Sequence, residues 1–203
     1  LTIGDATAED TKLVFDGNAQ DYYIGLDDSA DQLTIGLGSA LGTTTHMKFD
    51  STGIITMPLQ PSIMFQGSNP NTKTVNNTER YGSTDDGQAA FSTSSATNSH
   101  SIAGITYASD TGRFTVTTAG IYLVYFQTYV NSSSAVNVRT AIYRNDVRQG
   151  FGHVQSFTYG SSNVSACLKC AANDFIDFRS IGGSDVLIYE DANHVYGFIT
   201  KVS

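Results

Sequence analysis

Two adjacent carboxylate pairs, Asp85–Asp86 and Glu190–Asp191, come closest to the residue types a hydrolase needs. Glycosidases hold two carboxyls roughly 5–10 Å apart across a groove. Here the first pair lies in a Gly/Ser-rich stretch and the second beside a strand end, positions that suit solvated turn acids. "DDSAD" at 27–31 opens like a calcium loop, but its sixth position is Gln32 and its twelfth Gly38, where Gly and Glu are needed. The four histidines, His46, His100, His153 and His194, show no HxH or HxxxH spacing. "LTIGLGSALG" has glycines at 36, 38 and 42 but neither the following helix nor the acid of a dinucleotide fold. Cys167 and Cys170 form a lone CxxC, at best half of a zinc site. Three residues apart on a strand they face opposite ways, so two reduced, mostly buried thiols are expected. Catalytic and metal residues are therefore read as none, and no enzyme is expected.

The elements that would position any site are strands. The chain has 203 residues, 40% hydrophobic, 15% charged, with nineteen glycines and recurrent Thr, Ser, Val, Tyr and Phe. That profile fits an all-β chain with many turns. No run of about 18 apolar residues reads as a membrane span, and no basic-then-apolar stretch reads as a signal peptide. Leu1 already sits in a strand-like motif, so the chain is expected to be the C-terminal portion of something longer. The net charge of −8 argues against nucleic-acid binding, which needs a basic stripe, and against simple capture of anionic membranes or polyanionic glycans.

Residues 1–57 behave differently from the rest. "LTIG" occurs at 1–4 and again at 33–36, each copy followed by a Thr-rich turn and an aromatic-aspartate step, "TKLVFDG" at 11–17 and "HMKFDSTG" at 46–53. Strands are expected over 1–4, 12–16, 22–26, 32–36, 47–50 and 54–57. Each is too short to close a core within one chain, so the repeats should bury apolar faces against identical chains. This reads as a repetitive β stalk. Two prolines in "MPLQPS" mark a linker over 58–62. Beyond it, 63–203 carries longer strands over 63–66, 89–93, 105–107, 113–117, 121–130, 136–143, 148–154, 165–169, 175–179, 186–189 and 195–202. Segments 67–88 and 94–101 read as exposed loops. Eight to ten antiparallel strands in roughly 140 residues imply a double-sheet jelly roll.

One strand is unusual. In "GIYLVYFQTYV", Ile121, Leu123, Tyr125 and Tyr129 point one way and Tyr122, Val124, Phe126 and Val130 the other. Both faces are apolar, whereas a sheet with one wet face should alternate with polar residues.

"GRFTVTTAGIYLVYFQTYV" at 112–130 resembles the middle of the complement C1q and tumour-necrosis-factor-like jelly roll, with its Phe-Thr strand, Gly-Ile-Tyr turn and aromatic strand. "LKCAANDFIDF" at 168–178 and the closing "HVYGFITKV" at 194–202 are similar to later motifs of that family, and "PSIMF" at 61–65 sits where it begins. Asn173 replaces the family's Gly before Asp174, a change Asn tolerates because it visits left-handed conformations. The first part is similar to the repetitive stalks of bacteriophage tail fibres. The resemblance implies a homotrimer, with one face of 121–130 in the sandwich and the other on the three-fold axis. Tyr122, Val124, Phe126, Tyr196 and Phe198 are the residues assigned to that interface.

The reading is a trimeric virion fibre tip that recognises a host cell-surface glycan or protein by binding, not turnover. Its other partners would be further copies of itself and the upstream part of the fibre, with no nucleic acid and no membrane insertion. Tyr81, Asp85, Asp86, Tyr107, Tyr159 and Asn163 are the candidate ligand-binding residues. No cofactor is expected, while loop carboxylates leave room for surface calcium. A structural virion protein whose head only drives trimerisation, a polysaccharide depolymerase and a bacterial adhesin are the alternatives.

Overall fold

The computed structural model describes residues 2–94, 100–152, 155–181 and 186–203. The expected strand ends at Leu1 and Val154, His153 and the loop 95–99 lie outside the described residues. The chain divides into two compact units, Leu1–Gln60 and Pro61–Ser203.

In the first unit, β1 (Thr11–Phe15), β2 (Tyr22–Asp27), β3 (Gln32–Leu37), β4 (Thr45–Asp50) and β5 (Ile55–Thr56) pair in chain order. All pairings are antiparallel. The register aligns Leu13, Ile24, Ile35 and Met47 in one row and Leu26, Leu33, Phe49 and Ile55 in the next. Opposed residues share a face, so the paired residues on one side of this sheet are apolar except for Thr11, opposite Leu26. The other side carries Lys12, Gly25, Thr34, Lys48 and Thr56. The second "LTIG" needs its glycine because a Cβ at Gly36 would run into the buried Tyr23 ring. Tyr23 in turn anchors the β3–β4 loop, its hydroxyl accepting from Gly42 N–H at 3.1 Å. The first "LTIG" is not a strand over residues 2–4. Asp5 accepts from the Thr7 amide and hydroxyl at 3.0 and 2.6 Å, so a turn closes there before pairing can start.

The second unit is a two-sheet sandwich around β11 (Gly120–Arg144). Its first half pairs with β13 (Gln155–Cys170) on one side and β16 (Tyr196–Lys201) on the other. Its last residues pair instead with β14 (Phe175–Ile181) and β12 (Val147–Phe151). The two expected strands 121–130 and 136–143 are therefore one strand that leaves the first sheet and enters the second, with a register shift between Asn131 and Val136. The first sheet is completed by β6 (Ser62–Gln66), β7 (Thr72–Val75), β8 (His100–Ile102) and β15 (Val186–Tyr189). The second is completed by β9 (Ile105–Ala108) and β10 (Arg113–Val116).

Between the sheets lies a cluster of rings. Phe65 stands 4.5 Å from Phe114, Phe126 stands 4.5 Å from Phe178, and Tyr81 lies 5.1 Å from Phe126. The aromatic-Gly-aromatic step of β16 follows from this packing. A Cβ at Gly197 would sit 2.5 Å from the Phe65 ring and from the Tyr125 carbonyl. Asn173 adopts φ +70°, the left-handed conformation that its replacement of glycine required.

Two sequence expectations change here. Residues 89–93 form no strand; their backbone pairs with the first sheet at the isolated Ser92–Gln66 bridge, and Phe91 packs on Phe65 at 4.8 Å. The segment 67–88 is not a wet loop. It contributes β7 and buries Val75, Tyr81, Ser83 and Gln88, because its few apolar side chains close one end of the sandwich.

Candidate functional site

Two outer faces of the sandwich present chemistry. On the first sheet, register places Tyr125 opposite Phe198 and Gln127 opposite Tyr196, with Phe198 opposite Met64 on the far side. The Tyr125 ring lies 5.7 Å from Phe198 and 6.0 Å from Tyr196. Its hydroxyl donates to Gln127 Oε1 at 3.0 Å. Partial burial, and then the neighbouring Tyr196 hydroxyl, push the Tyr125 hydroxyl up to about 12, so it stays neutral. Farther along, Tyr129, Tyr189 and His194 stack within 4.5–6.0 Å, and His194 Nδ1 lies 2.8 Å from the Asp191 carboxylate. Met64 and Tyr196 are each 40% exposed. The rings of this outer face, carried by β11, β15 and β16, are at least partly exposed in the single chain.

The sequence assignment of the two faces of β11 is half inverted. Tyr122, Val124 and Phe126 point into the sandwich and are fully buried in the core of a single chain. They contact no partner there, because the second sheet already covers them. The outward set is Ile121, Leu123, Tyr125, Gln127 and Tyr129, and Tyr196 and Phe198 lie on that same outer side.

The six candidate ligand residues are not brought together. Tyr81 is 1% exposed, its hydroxyl pushed up to about 12 by burial, and is a core residue. Tyr107 packs against the core and ties two loops, donating to Gly82 O at 2.5 Å and accepting from Phe91 N–H at 2.9 Å. Burial likewise pushes its hydroxyl up to about 12. Asp86 accepts from Arg80 N–H at 3.0 Å and faces the Arg80 guanidinium at 3.5 Å, so it is half-buried and structural. Asp85, Tyr159 and Asn163 are exposed, Tyr159 to 62%. Of the second carboxylate pair, Glu190 is buried and accepts from Asn69 Nδ2 and Ala89 N–H at 3.1 and 2.8 Å, while Asp191 holds His194. Asp27 of the calcium-like stretch caps a single helical turn, accepting from Ala30 N–H at 3.2 Å. Among the described residues, no group of three or more His, Cys, Asp or Glu is arranged around a metal-sized space. Cys170 is buried and Cys167 exposed, both free, so only one of the two thiols is sheltered.

The outer face of the second sheet gathers residues that are far apart in sequence. Asp146, at the tip of the β11–β12 hairpin, is flanked by Arg113 at 3.0 Å and by Arg179, which also contacts Asp177 at 2.5 Å. Arg80 approaches Asp177 and Asp146 at 3.9 Å. The Arg179 hydrogen bond in particular holds the Asp146 carboxyl below the usual carboxylate range. Arg113 and Arg179 also stack over Phe175 and Tyr143, at 3.9 and 4.1 Å from the ring centres. Sequence reading missed this cluster, for which the only linear signal was the alternation of Arg with aromatic residues in β10 to β14.

No protein-family model matches the chain, and no curated protein matches it. Among solved structures it is similar to Eiger TNF from S. frugiperda, with 18% identity and a TM-score of 0.56, over 71% of this chain and 94% of that one. The fold is a TNF-like jelly roll. At this identity the likeness shows the fold alone.

Proposed function

We propose that the chain is the tip of a homotrimeric virion fibre, in which a β stalk carries a jelly-roll head that binds a cell-surface ligand without turning it over. The observation that carries this reading is the aromatic outer face of the first sheet. Monomers rarely leave large contiguous apolar patches uncovered, and a three-fold ring covers one such patch per chain with a copy of the same surface. The first unit supports the same reading. Leu13, Phe15, Tyr22, Ile24, Leu26, Leu33 and Ile55 of its apolar face are 39–56% exposed.

Binding rather than hydrolysis fits the carboxylates. Asp86, Glu190 and Asp191 are each engaged by neighbouring groups, which supports structural roles for them. Three weak sites on one rigid head gain avidity without new contacts.

Light scattering on residues 1–203 tests the assembly. The expected mass is three times 21.7 kDa, reduced by Tyr125→Asp combined with Phe198→Asp. A native chain that stays at 21.7 kDa at high micromolar concentration would remove the basis for the fibre. A stable trimer that adsorbs to no cell surface would favour a head that only drives trimerisation.

A further inference from the structure

Five of the chain's six arginines, all but Arg144, come together on the outer face of the second sheet. Arg80, Arg113 and Arg179 are matched there by Asp86, Asp146 and Asp177. Arg139 and Arg148 are not. Among the described residues neither has a carboxylate partner, and both lie over one ring, that of Phe151, at 5.6 and 5.1 Å from its centre. Pairing of β11 with β12 creates this arrangement, since Phe151 sits opposite Ala141 and Arg148 opposite Tyr143, with Arg139 one same-face step beyond Ala141. Phe151 is 52% exposed. Among the described residues, a chain of net charge −8 thus carries two guanidinium groups without a carboxylate partner at a half-exposed aromatic ring.

We propose that Phe151, Arg139 and Arg148 form a binding site for an acidic sugar, a pyranose bearing a carboxylate, displayed on a cell-surface glycan. The proposal rests on the reading of the head as a ligand-binding module and names its ligand chemistry. The Phe151 ring takes the C–H face of the pyranose, burying apolar area that neither arginine covers fully. One guanidinium donates two parallel N–H bonds to the sugar carboxylate, and the second donates to the remaining lone pairs. The same surface already shows that match internally, where Arg113 and Arg179 hold the Asp146 carboxylate. Nucleic acid is the poorer fit. It presents a long run of phosphates, whereas this face offers two arginines that have no carboxylate partner among the described residues of an acidic molecule. The overall negative charge, which argued against polyanionic glycans when read as an average, is absent at this one place.

The test uses the full chain against immobilised oligosaccharides ending in uronic or sialic acid, printed beside the same sugars with the carboxyl reduced to an alcohol. The expected result is binding to the acidic set, weaker by roughly tenfold or more for the reduced set and for Arg139→Gln or Arg148→Gln. Phe151→Ala should weaken binding as well, while Phe151→Tyr should keep it. Binding by the native chain should fall as salt rises. Circular dichroism and solution mass report that these surface variants are folded and assembled. Equal binding to acidic and reduced sugars overturns the proposal, as does native-like binding by the Arg139→Gln/Arg148→Gln double variant. In either case the ligand-binding reading stands. If the native chain binds no sugar on the array and adsorbs to no cells of a bacterial panel, the proposal and that reading fall together.

Discussion

Residues 125 and 126 are neighbours in sequence, both aromatic, and opposite in consequence. Phe126 is 0% exposed and meets four rings, Phe178 at 4.5 Å, Tyr81 at 5.1 Å, Phe91 at 5.8 Å and Phe65 at 6.1 Å. Phe126→Ala removes that ring from a packed interior, which costs about 3–5 kcal/mol. For a domain of this size each kcal/mol lowers the melting temperature by about 2–4 °C, so a fall of about 6–20 °C is expected. Total stabilities are about 5–15 kcal/mol, which leaves the variant folded at room temperature through most of that range. Tyr125→Ala acts on the outer face, against Tyr196 and Phe198, and within one protomer should cost less than about 1 kcal/mol. The assay pairs thermal unfolding with light scattering, at a dilution where native mass corresponds to one chain and again at high concentration. Phe126→Ala should lower the melting temperature at both concentrations. Tyr125→Ala should match the native chain when dilute and lose mass when concentrated. A Phe126→Ala variant with a native melting temperature but reduced mass would refute the register of β11. It would place Tyr122, Val124 and Phe126 on the outer face after all.

Gly197→Ala should cost about 1–3 kcal/mol by overpacking Phe65, read as a lower unfolding midpoint in urea with the slope unchanged; a neutral effect would mean the ring is free to move. The carboxyls of Asp146 and Asp174 are held low, the first chiefly by Arg179 and the second chiefly by Asn145. Groups whose folded values lie below their unfolded values stabilise fully above about pH 4 and lose that contribution as pH falls through the folded value. Melting temperature should therefore drop on acidification below about pH 4, and Asp146→Asn combined with Asp174→Asn should lower the neutral-pH value and flatten the drop; an unchanged acid profile would exclude these two groups. Burial raises the Cys170 thiol out of its usual range, whereas Cys167 is exposed opposite Leu123. Mass spectrometry after brief maleimide treatment should find label on Cys167 alone, and equal labelling would contradict the strand register.

Much of the fold was legible because β structure writes a period of two into the chain. The strand at 121–130 and the short strands near 12–16, 22–26, 32–36 and 47–50 followed from local pattern, and Asn173 took the left-handed conformation that the family resemblance implied. Tyr81 was misplaced because a single ring in a polar stretch carries no period. Its burial depends on Phe126 and the other rings it meets, which lie far along the chain.

Alternation along β11 established that two apolar faces exist, and residue type could go no further, since Tyr, Val and Phe suit a core and an interface equally. Which face turned inward was decided by the second sheet. Phe178 arrives from β14 to stack on Phe126 at 4.5 Å, and Tyr122, Val124 and Phe126 join one buried core with Phe114 of β10; a slip of one residue would have exchanged the two sets. The arginines teach the same lesson with charge. Positions 80, 113, 139, 148 and 179 are scattered singly through an acidic sequence, and composition averages them away. Antiparallel pairing of β11 with β12 and β14, of β14 with β10, and the Arg80–Arg179 bridge bring them onto one surface, because strand neighbours sit about 5 Å apart whatever their separation in sequence.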